Sequence, residues 1–166
     1  LYRINNLINI FVKGVTKLRL LRYYINIINT FNMAAGRYSF VIEQGATTDF
    51  EILYKDSNGD PVDLSGHRAR MQIRAAQTAS SEAFLTLSSS LNPDGTGINL
   101  SGSSGTNSPT SGSIGIFISH TTSSNLNFGN AYYDLEIVSG TNNSTRVTRI
   151  LEGAVGLSKE ITSGSF

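Results

Sequence analysis

Residues 38–74 read YSFVIEQGATTDFEILYKDSNGDPVDLSGHRARMQIR, and this stretch decides the fold class. Apolar and polar side chains alternate within it, around residues 40–42, 50–54 and 69–73. An alternation with period two places one row of side chains on a buried face of a β-strand and the other row in water. The dipeptide Asn58-Gly59 adds a strong hairpin signal, because both residues tolerate positive φ. The stretch therefore predicts a β-sheet protein that opens with an up-and-down pair of strands.

The chain after this stretch continues as short apolar segments separated by polar turns. Further strands are predicted at residues 84–87, 114–118, 133–137 and 146–157, and a helical turn at 119–126. The Ser- and Gly-rich residues 88–113 are expected to form one short strand near Ile98 between two flexible loops. Strands spaced about ten residues apart predict an all-β, antiparallel immunoglobulin-like sandwich over residues 33–166. Its predicted core comprises Phe40, Ile42, Phe50, Ile52, Met71, Ile73, Ile116, Leu135, Ile137 and Leu151.

The composition excludes several kinds of chemistry. The chain has 166 residues, of which 15% are charged, and it contains no Cys. Disulfides, thiolate metal sites and cysteine nucleophiles are therefore impossible. Residues 33–166 hold eight Lys and Arg against all twelve acids of the chain, and they show no basic stripe. We accordingly expect this part of the chain to bind no nucleic acid and to enter no membrane.

Residues 1–32 form a separate basic extension, which we expect to be helical or disordered. They carry five Lys and Arg and no acid, and twelve of the 32 residues are Ile or Asn. One interpretation is a basic amphipathic helix that lies on a membrane. The Ile and Asn bias favours a second interpretation, a translated AT-rich upstream sequence that is not native to the protein. The second interpretation predicts that a chain starting at Met33 folds and melts like the full chain.

Asp56, Asn58 and Asp60 alternate like the first ligands of a calcium loop. A calcium loop of the EF-hand type also needs Gly at its sixth position and Glu at its twelfth. This sequence has Pro61 and His67 at those positions. We therefore interpret the segment as a plain hairpin turn.

The two histidines, His67 and His120, stand beside turn residues and far apart in the sequence. Neither has a second ligand at metal-binding spacing, so we expect each to be solvated or locally hydrogen-bonded. The many serines include no Gly-x-Ser-x-Gly motif, although a Ser-His-Asp set assembled from distant loops stays open. The sequence thus predicts no catalytic, cofactor-binding or metal-binding residues.

Charged residues also share strand faces. Asp134 and Glu136 flank Leu135 and so point to the opposite face, where paired carboxylates could serve glycoside hydrolysis. Arg68, Arg70 and Arg74 share one face of their own strand in the same way. We expect a cross-strand ladder of ion pairs between these arginines and these acids, in preference to an anion site.

The order of these segments resembles a small β-sandwich family of tailed phages and prophages, similar to the N-terminal domains of baseplate upper proteins. The matching segments are AGRYSFVIEQGATTDFEILYKDSNGDPVDLSGHRARMQIR, SGSIGIFIS, AYYDLEIVSG and TRVTRILEGAVGLSKEIT, which cover residues 34–162 and leave out 1–32. The resemblance implies a non-enzymatic structural protein of the virion, in the tail, baseplate or fibre region. It implies no cofactor and no catalytic residue. Its partners would be other virion proteins and copies of itself, as a trimer or hexamer held by sheet edges and by the loops at 88–113 and 139–145.

Two other functional classes remain open beside a role in the tail. One is a capsid decoration protein, which the sequence does not separate from a tail protein. The other is a carbohydrate-binding module on a fibre, in which Tyr132 would be the exposed aromatic. The side chains of Tyr38 and Tyr54 are expected to pack inward. A hydrolase rests only on the abundance of Ser and Asp.

Overall fold

The computed structural model describes residues 35–139 and 145–162. The strands are β1 (Gly36–Arg37), β2 (Phe40–Glu43), β3 (Thr48–Leu53), β4 (Arg68–Arg74), β5 (Ala83–Ser88), β6 (Gly97–Asn99), β7 (Ser113–Ile118), β8 (Asn130–Ser139) and β9 (Arg146–Ser158). A 3-10 turn spans Pro109–Ser111, and one helix, α1, spans His120–Ser124. The expectations for residues 1–32 and for most of the turn at 141–145 lie outside the described residues.

The strands form two sheets, which confirms the all-β prediction. The larger sheet has the order β1-β9-β8-β4-β5, with β2 also paired to β9, and the smaller sheet has the order β3-β7-β6. The expectation of purely antiparallel pairing is wrong at one edge, where β1 and β2 run parallel to β9 from Gly36↔Leu151 to Glu43↔Ser158. Antiparallel neighbours can be joined by a tight hairpin, whereas β2 and β9 are separated by most of the chain. Local turn signals therefore carry no information about their relative direction.

The predicted up-and-down pair at the start of the chain is also wrong. Strand β2 belongs to the larger sheet, whereas β3 belongs to the smaller one and pairs with β7. The turn at Asn58-Gly59 does form, with Gly59 at a φ of 89° and a single bridge between Lys55 and Pro61. Beyond it the chain crosses to β4 in the other sheet. Period-two alternation identifies the buried side of a strand but not its neighbour.

One hydrophobic core lies between the two sheets and takes side chains from both. The predicted core residues Ile42, Met71, Ile73, Ile116, Leu135 and Ile137 are buried, and Phe40, Phe50, Ile52 and Leu151 are partly buried against them. The aromatic rings of Phe40 and Phe50 lie 5.0 Å apart and join β2 to β3 across the core. Burying an aliphatic or aromatic side chain contributes roughly 1.5–3 kcal/mol, so this shared core dominates the stability of the fold.

The Ser- and Gly-rich segment follows a fixed course instead of forming two free loops. Its short strand is β6, as predicted, and the residues after β6 lie against the outer face of the smaller sheet. Ser103 N donates to Glu51 Oε2 at 2.9 Å, and Ser101 N donates to Asn99 Oδ1 at 2.9 Å. A side chain at Gly115, in the middle strand of this sheet, would collide with the backbone of Ser103. The chain thus covers part of the outer face of its smaller sheet with its own backbone.

The predicted helical turn after β7 is confirmed as α1. Its N-cap is Ser119, whose Oγ accepts a hydrogen bond from Thr122 N at 3.0 Å. A capping hydroxyl of this kind satisfies one of the backbone N–H groups that a helix start leaves unpaired. No helix in the described part of the chain is long and apolar enough to cross a membrane.

Candidate functional site

The outer face of the larger sheet carries a groove of about 540 Å³, which we call the sheet groove. Its floor is formed by side chains of β4, β8 and β9 that point away from the core, and one wall is the loop between β4 and β5. Polar and charged side chains make up most of its lining. The lining residues are Arg37, Arg70, Gln72, Arg74, Ala76, Gln77, Thr78, Ala79, Tyr132, Tyr133, Asp134, Glu136, Arg149 and Glu152.

Ion pairs run across the floor of the sheet groove. The guanidinium of Arg70 contacts Glu136 with an Nη2–Oε2 distance of 2.6 Å, which confirms the predicted cross-strand pair for these two residues. Arg149 contacts Asp134 with an Nη2–Oδ2 distance of 2.8 Å and approaches Glu136 at 3.9 Å. Exposed ion pairs contribute only about 0–1 kcal/mol to stability, so these pairs shape the charge of the face more than they hold the fold together.

The third acid of the groove, Glu152, lies between two arginines. Its Oε2 is 3.6 Å from Arg149 Nη1, and its Oε1 is 3.5 Å from Arg37 Nε. Each of the three carboxylates in the lining therefore has at least one arginine partner. The ion pairs of Arg37, Arg149 and Glu152 could not be predicted from the sequence, because they depend on how β1 and β8 pair with β9. That pairing includes a register shift, in which Leu135 faces Leu151 while the next residue, Glu136, faces Arg149.

The predicted ladder fails for the other two arginines of β4. Arg74 donates to Gln72 Oε1 from Nε at 3.3 Å and from Nη2 at 3.0 Å, and its Nη1 donates to the carbonyl oxygen of Ser81. Neither Arg74 nor Arg68 forms an ion pair with any residue in the described ranges. The register explains this outcome, because the residue of β8 opposite Arg74 is Tyr132 and the residue opposite Arg68 is Val138.

Tyr132 is exposed on the same face, as the alternation predicts. Its side chain is 41% exposed, and its neighbours across the strands are Arg74 on one side and the small residue Ala154 on the other. Tyr132 therefore offers a partly open aromatic surface at the groove.

The inward packing predicted for two other tyrosines holds for only one of them. Tyr54 is partly buried against the core, as expected. Tyr38 is 51% exposed, and its ring lies 6.3 Å from that of Phe40 and 6.0 Å from that of Phe50. Tyr38 falls in the break between β1 and β2, where strand alternation does not fix the direction of a side chain.

The backbone carbonyl of Tyr38 accepts a hydrogen bond from a side chain of the core. Tyr133 Oη donates to it at 2.9 Å, and Gly153 lies so close to it that a Cβ at that position would collide with the oxygen. Burial raises the pKa of the Tyr133 phenol above its ordinary value, with a smaller contribution from Tyr38. This hydrogen bond could not be predicted from the sequence, because it requires the parallel pairing of the first and last strands.

A second polar cluster, around Asp94, was also missed. Asp94 Oδ2 accepts hydrogen bonds from Thr122 Oγ1 at 2.8 Å, from Thr96 Oγ1 at 3.1 Å and from Ser119 Oγ, and Thr96 N donates to Oδ1 at 3.0 Å. These bonds, led by that from Ser119, hold the pKa of the Asp94 carboxyl well below its ordinary value. The one local signal is the turn sequence Pro93-Asp94-Gly95, which predicts a turn but not its distant hydroxyl partners.

The remaining residues that the sequence analysis weighed are used in local turns. Asp56 Oδ1 accepts from Asn58 N at 2.8 Å and from Asp60 N at 3.0 Å, which confirms the hairpin turn. His67 Nδ1 lies 3.0 Å from Ser65 O, and His120 Nε2 lies 3.3 Å from Thr121 Oγ1, so both imidazoles have the predicted local partners. Residues 35–139 and 145–162 bring together no cluster of His, Cys, Asp and Glu that could hold a metal ion.

No model of a protein family matches the chain, and a search of curated proteins finds no significant relative.

Proposed function

We propose that this protein is a non-enzymatic structural protein of a tailed-phage particle, an assembly or attachment module of the tail, baseplate or fibre region. The proposal rests on the sequence resemblance and on the strand order, from which we infer an immunoglobulin-like sandwich. The larger sheet takes β9, β8, β4 and β5 in order, and the smaller takes β3, β7 and β6. This order agrees with the order G-F-C-C′ and B-E-D of a variable-type immunoglobulin sandwich that has β2 added beside the last strand, and the agreement supports the proposal.

The segments that carry the resemblance have definite positions in the fold. In the segment Ile42-Glu43-Gln44-Gly45, Ile42 is buried and Gly45 has a φ of 81°. Gln44 Nε2 donates to Leu126 O at 2.9 Å, and its Oε1 accepts from Glu160 N at 3.2 Å, so this amide joins three parts of the chain. The residues of this segment therefore serve the fold.

The observation that favours an assembly role is an exposed apolar edge on the larger sheet. Strand β2 pairs with β9 on one side only, and no described strand pairs with its other side. Along this edge Val41 is 59% exposed and Tyr38 is 51% exposed. A sheet edge with free backbone groups and apolar side chains can add a strand from a neighbouring chain. We expect the neighbours to be other virion proteins and copies of this chain, in a trimer or hexamer that closes the edges.

The loops contribute less to this proposal than the sequence suggests. The backbone of residues 101–107 already bonds within the segment and to β3, as in the bond of 3.0 Å from Asn107 N to Ser101 O. The contacts between copies would therefore fall on the β2 edge.

Proteomics on purified and dissected virions tests the proposal directly. We expect the protein in tail or baseplate fractions. Its presence in capsid fractions would identify a decoration protein instead. Absence from every particle fraction would refute the assembly role.

The edge itself is tested with Val41→Lys, because a charge at an exposed edge position opposes strand addition. Incorporation into particles, or self-association measured by ultracentrifugation, should fall for this variant. The matched control is Leu53→Lys, at a similarly exposed apolar residue of β3, an edge strand of the other sheet. Equal loss in both variants would argue against the β2 edge.

A further inference from the structure

We infer that the sheet groove is a binding site for an acidic saccharide, with Arg74 as the partner of the sugar carboxylate and Tyr132 as the surface on which the sugar ring lies. This inference goes beyond the assembly role and does not depend on it.

The sheet groove carries an excess of positive charge. Its lining contains four arginines and three carboxylates. The carboxylates of Asp134, Glu136 and Glu152 all lie within ion-pair distance of Arg37, Arg70 or Arg149. The remaining arginine, Arg74, contacts only neutral oxygen atoms among the described residues. The excess positive charge of the groove is therefore located at Arg74.

The guanidinium of Arg74 has hydrogen-bond donors that its contacts in the protein do not use. Arginine has five N–H donors, and the contacts of Arg74 with Gln72 and Ser81 occupy three of them. Two donors are left for a ligand. The contacts with Gln72 and Ser81 also fix the plane of the group, which lowers the entropy lost when a ligand binds. A planar carboxylate matches an oriented guanidinium better than a neutral hydroxyl does.

The aromatic ring of Tyr132 lies beside this charge. Arg74 and Tyr132 are directly opposite each other on β4 and β8, so their side chains are neighbours on one face. The residue opposite Tyr132 on β9 is the small Ala154, and Tyr132 is 41% exposed, so part of its phenol ring is accessible. A tyrosine ring offers an apolar face to the C–H groups of a sugar and a hydroxyl to its oxygen atoms.

The groove wall supplies the remaining polar groups. Gln77 and Thr78 of the β4–β5 loop also line the groove, and their amide and hydroxyl groups can both donate and accept hydrogen bonds. An aromatic surface with a few convergent polar groups is the usual composition of a small-ligand site. A volume of about 540 Å³ is sufficient for a short oligosaccharide.

The test measures binding of the full chain to two pairs of probes by calorimetry. One pair is trigalacturonate and its methyl ester, and the other is sialyllactose and lactose. We expect an acidic member of these pairs to bind at least about tenfold more tightly than its neutral counterpart, the factor that one charge-assisted hydrogen bond supplies. Equal binding of acidic and neutral probes, or binding of neither, would overturn the inference. Inorganic phosphate that displaces the saccharide at the same concentration would reduce the site to a general anion site, which also overturns it.

Three variants assign the roles. Arg74→Gln should abolish the preference for the acidic probe, whereas Tyr132→Ala should weaken the acidic and neutral probes alike. Arg68→Gln is the matched control, because Arg68 lies on the same face of the same strand, is unpaired among the described residues and does not line the groove. If Arg68→Gln reduces binding as much as Arg74→Gln, the charge of the whole face binds the probe and the inference fails.

A measurement on the unaltered chain covers the case in which a variant does not fold. Amide chemical shifts during titration with the acidic probe should change for residues 72–78 and 130–134. Changes confined to other strands would place the ligand elsewhere and overturn the inference.

Discussion

Asp94 connects two parts of the chain that meet only in the folded protein. It lies in the loop between β5 and β6, and its carboxylate accepts from the hydroxyl groups of Ser119, the N-cap of α1, and of Thr122 in the first turn. The buried hydroxyl of Thr96 extends the cluster by accepting from Ser119 N at 3.0 Å. The carboxylate therefore fixes the loop and the helix start in one network.

We predict that Asp94→Asn lowers the melting temperature at pH 7 and that the difference from the unaltered protein narrows in acid. The pKa of Asp94 is depressed in the folded state, so its stabilising effect is complete above its ordinary value of 3.8 and is lost as the pH falls below it. Thermal melts monitored by circular dichroism between pH 7 and pH 3 measure this difference. Asp49→Asn is the control, because Asp49 is exposed on β3 and should change little at either pH. A difference that stays constant with pH would contradict the prediction.

At the scale of single residues, the sequence predicts burial well and polar partners poorly. Ile73 and Leu135 alternate with polar or charged neighbours, and both are fully buried. The face of Arg74 is predicted by the same alternation, but its contacts depend on which residue of β8 lies opposite. The register between strands that are distant in sequence is a property of the whole fold, so residue types alone could not exclude Arg74 from the ion-pair ladder.

The break between β1 and β2 packs on β9 through close backbone contact. Tyr38 N donates to Glu152 O at 3.1 Å, and the carbonyl of Tyr38 lies over Gly153. The close contact requires a residue without a side chain at position 153. The structure shows close packing at Gly153 and, a few residues earlier on the same strand, the register shift at residues 149–151.

We predict that Gly153→Ala destabilises the protein by about 1–3 kcal/mol, the usual cost of forcing extra volume into a packed site. Gly156→Ala is a matched control on the same strand, because a Cβ there would meet only Val41 Cγ2 at an ordinary distance of 3.6 Å. Neither glycine has a positive φ, so the comparison isolates the steric effect. Urea unfolding of both variants gives the free energy of unfolding, and equal values would show that β2 moves away without cost.

At the scale of strands, position along the chain is predictable and neighbours are not. Strands β5, β7 and β8 fall close to the segments at 84–87, 114–118 and 133–137 that the alternation identifies. The predicted up-and-down pair of strands is wrong, because a turn signal such as Asn58-Gly59 indicates only a local reversal of the chain and not which strand pairs with β3. Strand pairing is determined by the shared core, which the sequence encodes only in the combination of all strands.

For the whole molecule, composition and alternation predict the all-β class and a core shared by the strands. They also place Tyr132 and the charged residues of β4 and β8 on the outer face of one sheet. They do not predict that the Ser- and Gly-rich segment covers part of the smaller sheet. The hydrogen bonds that hold the segment there, from Ser103 to Glu51 and from Ser101 to Asn99, join residues of no distinctive pattern. This unequal covering leaves the larger sheet with the more open face, and it is this face that carries the sheet groove.

The parallel pairing of β1 and β2 with β9 has a mechanical consequence. The chain enters this pair at Gly36, beside Leu151, and β9 leaves it at Ser158, beside Glu43, so the two attachment points lie at opposite ends of the paired region. Tension between them slides the strands lengthwise, and the hydrogen bonds of the pair carry the load together instead of breaking one by one. We expect a high force peak in single-molecule pulling from residues 35 and 160, and a much lower one when pulling from 35 and 146, which peels the pair open from one end. Similar forces in both directions would contradict this. A module built in this way resists stretching along the line of its chain.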